Sequence, residues 1–116
     1  MGGTNTAGAV TKELLIPLQG IGGKIRLGIF KVQGSTTYTV GGDIVDLRAY
    51  YRKIRGIFAV STEDNDNYDI LSYDDANYNT TSAVAYAQYL STSTGIEITC
   101  ATDLSAIYHR ILVIGD

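Results

Sequence analysis

Ser82-Ala83-Val84-Ala85-Tyr86-Ala87-Gln88-Tyr89-Leu90 alternates with a period of two. In an extended chain Ala83, Ala85 and Ala87 line one face, and Val84, Tyr86 and Leu90 line the other. A helix would scatter those alanines around its circumference, so the stretch reads as a β-strand. Its small-residue stripe lets another backbone or sheet come close. The same alternation recurs over 10–18, 25–30, 54–61, 68–73, 96–101 and 107–114, with a shorter Thr/Tyr strand over 36–40 closed by Gly41-Gly42. About seven to nine short strands, with turns roughly every ten residues, predict an all-β sandwich or jelly-roll.

The strand over 10–18 places Val10, Leu14, Ile16 and Leu18 on one face, broken by Lys12. Pro17 lacks an N–H and favours an edge position. Gly20-Ile21-Gly22-Gly23 is a permissive turn, and the next strand completes a hairpin with Ile25, Leu27 and Ile29 on one face. Phe30 and Val32 then make both faces apolar. The strand over 54–61 does the same: Ile57 and Ala59 oppose Phe58 and Val60, the pattern of a strand covered on both sides. The helical signal is short. Asp46 can cap it, Leu47, Tyr50 or Tyr51, and Ile54 recur at helical spacing, and Arg52 and Lys53 fall at its C-terminal end. It predicts one short helical turn near 46–54.

The 116 residues fit one domain, and 45% hydrophobic with 18% charged residues describes a globular but lightly charged chain. A net charge of −3 argues against a general nucleic-acid binder. No apolar run approaches a transmembrane helix, which argues against a membrane partner. Residues 1–9 are Gly-, Thr-, Asn- and Ala-rich without charge, unlike a signal peptide, and are expected to form a flexible arm before a single domain over 10–116.

Residues that usually do chemistry are scarce. His109 is the sole histidine and Cys100 the sole cysteine. No nucleophile motif accompanies His109, so it reads as a packing residue, and Cys100 as a buried small hydrophobe that has no disulfide partner. Glu63, Asp64, Asp66, Asp69, Asp74 and Asp75 hold half of the twelve acids. Asp64-Asn65-Asp66 resembles the start of a calcium loop, but Tyr68 and Asp69 stand where that loop needs a ligand and a glycine. A solvated hairpin tip is expected, with no metal. Arg48, Arg52, Lys53 and Arg55 form one basic cluster suited to an acidic partner surface. Nine tyrosines supply contact area for a core, an interface or a sugar platform. Enzymatic function and a cofactor are not expected.

Gly41-Gly42-Asp43-Ile44-Val45-Asp46-Leu47 leads to the strand Gly56-Ile57-Phe58-Ala59-Val60, then to Tyr73-Asp74. The chain ends Thr102-Asp103-Leu104-Ser105-Ala106, then Tyr108-His109-Arg110-Ile111-Leu112-Val113-Ile114-Gly115-Asp116. Over about residues 24–116 this layout resembles small structural proteins of tailed bacteriophages, with their G-G-D-x-x-D-L turn, central strand and closing T-D-L-S-x-x-x-x-R-x-L-x-I-G. The 62–67 tip is more acidic here, and the first twenty residues find no counterpart. The resemblance implies a head decoration (cement) protein, made in the host cytoplasm and carried on the capsid exterior as a homotrimer that binds the major capsid protein. It brings no catalytic residues. Contact elements expected on that basis are Gly2, Gly3, Thr4 and Asn5 of the arm, the basic residues Arg48, Arg52, Lys53 and Arg55, and the stripe Ala83, Ala85 and Ala87. A tail, neck or fibre subunit and a small carbohydrate-binding module are the alternatives.

Overall fold

Among the described residues the alternation becomes seven strands in two antiparallel sheets. The computed structural model describes residues 6–18, 25–60, 62–63, 67–74, 83–99 and 101–116. In chain order the strands are β1 (Val10–Pro17), β2 (Arg26–Gln33), β3 (Asp43–Asp46), β4 (Ile54–Ala59), β5 (Tyr68–Asp74), β6 (Val84–Ser91) and β7 (Tyr108–Gly115). The first sheet runs β1-β2-β7-β4 and the second β3-β6-β5. After two strands in the second sheet the chain returns to lay β7 beside β4, a Greek-key path. An immunoglobulin sandwich fills that place between its second and fourth strands with its fifth strand. Here the last strand takes it, so the sheet closes only when the C-terminal segment arrives.

The core lies between the sheets, as the period of two requires. Phe30, Val32, Ile111 and Val113 point inward from the first sheet, and Val45, Ala85, Ala87 and Tyr89 from the second. Tyr38, Leu47, Tyr51, Ile54 and Leu104 close its ends. Gly28 on β2 leaves the space that Tyr51 fills: a Cβ there would meet the Tyr51 hydroxyl at 2.5 Å. That hydroxyl donates to the Val113 carbonyl at 3.2 Å. Gly34 marks a second close approach, where a Cβ would lie 2.4 Å from the Leu104 carbonyl oxygen. Gly34→Ala is therefore expected to cost about 2 kcal/mol by overpacking, read from urea unfolding. An unchanged midpoint would mean that the 104–107 loop yields freely.

Four expectations need correction. In β1 the faces switch at a bulge: Lys12 pairs with Phe30 and Leu14 with Ile29, so Glu13 is the extra residue. Beyond it Leu15 joins Val10 on the core side, and Leu14 and Ile16 turn outward. The turn near 46–54 is no helix. The N–H groups of Tyr50 and Tyr51 both donate to the Leu47 carbonyl at 3.0 Å, but those of Arg52 and Lys53 donate to the Asp116 carbonyl, at 2.7 and 3.2 Å, and draw the backbone away. The strands expected over 36–40 and 96–101 reduce to brief pairings, with Tyr38 bonded to Ala101 and Thr102, and a bridge between Leu90 and Glu97. Instead Gly41 and Gly42, at φ of 104° and 115°, turn the chain directly into β3.

The fourth correction concerns the expected arm over 1–9. Residues 6–9 belong to the domain: Ala7 N–H donates to the Ile44 carbonyl at 2.8 Å and Gly8 N–H to the Gln33 carbonyl at 2.9 Å. They carry the chain from the edge of β3 across to β2. Gly2, Gly3, Thr4 and Asn5 lie outside the described residues.

Candidate functional site

The basic cluster keeps its charges at home. Arg48 holds Asp46 bidentately, through Nε to Oδ1 at 2.9 Å and Nη2 to Oδ2 at 2.7 Å. Asp46 also accepts the Arg48 N–H at 3.0 Å, and the arginine's hydrogen bonds lower its carboxyl pKa. Arg52 and Arg55 converge on the Asp116 carboxylate at 3.8 and 3.3 Å. Lys53 is exposed between them. The cluster thus pins β4 to the residue after β7, and three of its four cations already face a carboxylate.

The alanine stripe does admit a sheet, but the sheet is the chain's own. Ala83, Ala85 and Ala87 are fully buried against the first sheet. They cannot serve as an outer contact surface, because the period of two turns them inward with Tyr89.

A polar string crosses the core. The Tyr73 hydroxyl meets His109 Nε2, and the Tyr89 hydroxyl lies 3.2 Å from Nδ1. Tyr38 stands edge-on to Tyr89 at 5.8 Å and donates to Glu97 at 2.6 Å. Burial pushes the His109 pKa down to about 4, against a small opposing pull from Asp69. The imidazole is neutral at pH 7, sealed and bonded on both nitrogens. It ties β5 and β6 to β7 rather than presenting a base to solvent. Tyr73 and Tyr89 are thereby taken from any tyrosine sugar platform; Tyr78 lies outside the described residues.

Little of the acidic stretch can be placed. Asp64, Asp66 and Asp75 lie outside the described residues. Glu63 turns to Arg110, and Asp69 accepts the N–H groups of Thr62 and Ile70 at 3.2 and 2.8 Å. Among the described residues no group of three or more His, Cys, Asp and Glu could hold a metal. Cys100 also lies outside them. A shallow groove borders Tyr68, Ser91, Thr94, Ile96 and Glu97. Its carboxylate is already committed to Tyr38 and to the Gly41 N–H at 2.8 Å.

The outward face of the first sheet is built differently. Strand register places Leu14, Ile29, Leu112 and Phe58 in one row across all four strands. Ile16, Leu27, Ile114 and Gly56 form the next row. Side-chain exposure is greatest on the edge strands: 39% for Leu14, 40% for Ile16, 58% for Phe58, and 61% for Val60 just beyond β4. Lys31 and Arg110 form a third row. Arg110 donates to both Glu13 oxygens, at 2.7 and 3.1 Å, and to Glu63. Lys31 Nζ sits 4.0 Å from Glu63 and 4.7 Å over the Tyr108 ring. The β1 bulge is what turns Glu13 onto this face. Two cations and two carboxylates thus cancel at one end of the face, beside the two apolar rows.

Sequence reasoning expected the β4 strand to be covered on both sides, yet Ile54 is buried and Ile57 half-buried while Phe58, Ala59 and Val60 are exposed. Phe58 and Val60 were the legible sign of this face. The rest of it depends on register across strands distant in sequence. No family model matches the chain, and no curated protein or solved structure matches it.

Proposed function

We propose that this chain is a structural subunit of a tailed-bacteriophage particle, a decoration protein that binds the outer surface of the major capsid lattice and stabilises the head. The observation that carries this reading is the outer face of the first sheet. Seven large apolar side chains in two adjoining rows suit a chain that works against other protein, since a contiguous apolar patch of a few hundred Å² is often a functional surface. The segments that resemble phage proteins supply support of a second kind, because they form the frame of the fold. Gly41 and Gly42 make the turn into β3, buried Leu104 anchors the closing loop, and β7 is one of the two inner strands of its sheet.

Stabilisation would come from multivalency: contacts that are weak singly become strong when one oligomer, a trimer in the proteins it resembles, touches several capsomers. The basic turn at Arg48, Arg52, Lys53 and Arg55 is the proposed capsid-facing element, together with residues 2–5. Its charges are largely paired, so they would fix register more than add affinity.

The test uses shells assembled from the major capsid protein encoded in the same genome. The chain is expected to co-sediment at a fixed ratio to capsomers and to raise the temperature at which the shells open. Shells that neither bind it nor gain heat resistance would remove the reading.

A further inference from the structure

We infer that the outer face of the first sheet is closed by a second copy of this chain. Three observations select that occupant.

The first is that the sheet's edges are guarded while its face is not. β1 carries Lys12, the Glu13 bulge and Pro17, and β4 carries a second bulge between Ile54 and Gly56, at Arg55. Bulges, charges and proline on edge strands obstruct the addition of another strand. Growth edge to edge is therefore blocked on both sides, whereas Leu14, Ile16, Phe58 and Val60 stay open on the face.

The second is area. Three strands of eight residues and one of six, about 4.8 Å apart with about 3.3 Å rise per residue, give a face of roughly 475 Å² in plan. Two such faces together hide roughly 950 Å² before side-chain relief is added, close to the roughly 1,000 Å² that a biological interface needs. Leu, Ile and Phe rows are self-complementary, since sheets stack through interdigitated side chains about 10 Å apart.

The third is charge. Arg110 and Lys31 are balanced on the face by Glu13 and Glu63. Among the described residues, a strongly acidic or basic partner would find no uncompensated charge to recognise there. A second copy brings an equally neutral set and meets no net repulsion. The inference is independent of the capsid reading, because it concerns the chain alone in solution.

Sedimentation of the full chain over a range of concentrations tests it. The expected particle is a multiple of the 12.5 kDa chain. Phe58→Lys and Ile16→Lys, each at an exposed position, are expected to weaken association about a hundredfold or more, because a charge would be buried without a partner. Leu71→Lys, at an exposed apolar position on β5 in the other sheet, is the control and should leave the mass unchanged. Far-UV circular dichroism confirms that each variant is folded. Should the lysine variants fail to fold, carbene labelling of the wild type decides the matter. Leu14, Phe58 and Val60 are expected to be protected at high concentration and labelled on dilution. A wild type that is monomeric throughout, an oligomer that survives Phe58→Lys, or a face that stays labelled within the oligomer overturns the inference. A monomer that still binds capsid shells would sink this inference and leave the decoration reading intact. An oligomer that ignores the shells would do the reverse.

Discussion

Taking the protein from pH 7 to pH 4 is expected to remove about 3 kcal/mol of folding stability through His109 alone. The imidazole is fully buried between the sheets, and burial holds its pKa at about 4, against 6.5 when the chain is unfolded. Between those values the unfolded chain binds a proton that the folded chain refuses, so stability falls as the pH drops through the window. Above about 6.5 both states are neutral and the contribution is complete; below about 4 both are charged and nothing more is lost. The gap, at 1.36 kcal/mol per pH unit, sets the magnitude. Tyr73 and Tyr89 face the ring and stay protonated, since burial raises both their pKa values. Asp69 opposes the shift weakly. Asp43 acts with the opposite sign: burial raises its carboxyl pKa, so its penalty is relieved as the pH falls through that raised value towards 3.8. The low end of the curve should therefore be shallower than His109 alone would make it. Urea unfolding at a series of pH values checks the prediction, with His109→Gln as the partner variant. That variant should be less stable at pH 7 and nearly level between pH 6.5 and 4. Parallel curves for the two proteins would assign the acid sensitivity elsewhere.

How far the sequence could be read depended on how local the deciding physics was. Alternation is local, and it located β1, β2, β4, β5, β6 and β7 within a few residues. The β3 strand was missed because its four residues follow Gly41-Gly42, and the Asp46-Leu47 cap signal that ends it looks helical. The β1 faces were misread because one inserted residue, Glu13, reverses every side chain after it. The bulge becomes visible only when Lys12 and Leu14 are matched to Phe30 and Ile29. The alanine stripe was correctly a surface for close approach, but composition could not say whose sheet would approach. The outer apolar face was half legible, in Phe58 and Val60. Its completion by Leu14, Ile29 and Leu112 needs β7 inserted between β2 and β4, a fact of topology. The cluster of Arg110 with Glu13 and Glu63 joins positions 97 and 47 residues apart, and the partners of His109 lie 36 and 20 residues away. No spacing rule reaches across such distances.

Asp43→Ala is expected to cost about 3 kcal/mol, and Asp43→Asn only about 1 kcal/mol. Asp43 is fully buried where the chain leaves the Gly41-Gly42 turn for β3. Its carboxylate accepts the Ser35 hydroxyl at 2.6 Å and the Ser35 N–H at 3.0 Å, fastening the β2–β3 connection. Burial raises the carboxyl pKa, and the two Ser35 bonds pull it only part of the way back. The buried charge is thus a net burden that Ser35 makes tolerable. Alanine removes both acceptors and strands the Ser35 hydroxyl and N–H in the core, where an unmatched donor costs about 1–3 kcal/mol. Asparagine keeps one acceptor and removes the charge, so the lost bond is offset by the lost desolvation. Asparagine should also abolish the penalty that deprotonation of Asp43 imposes as the pH rises. Denaturant unfolding at pH 7 measures both variants, and amide exchange at Ser35 supplies a local readout. Exchange should quicken strongly in the alanine variant and modestly in the asparagine one. Equal losses for the two would show that Asp43 acts through its charge, and the account of the turn as a hydrogen-bonded clasp would fail. A stable asparagine variant also separates frame from surface. Asp43 is buried far from the outer rows, so that variant should self-associate like the wild type, whereas Phe58→Lys, which leaves the clasp intact, should not.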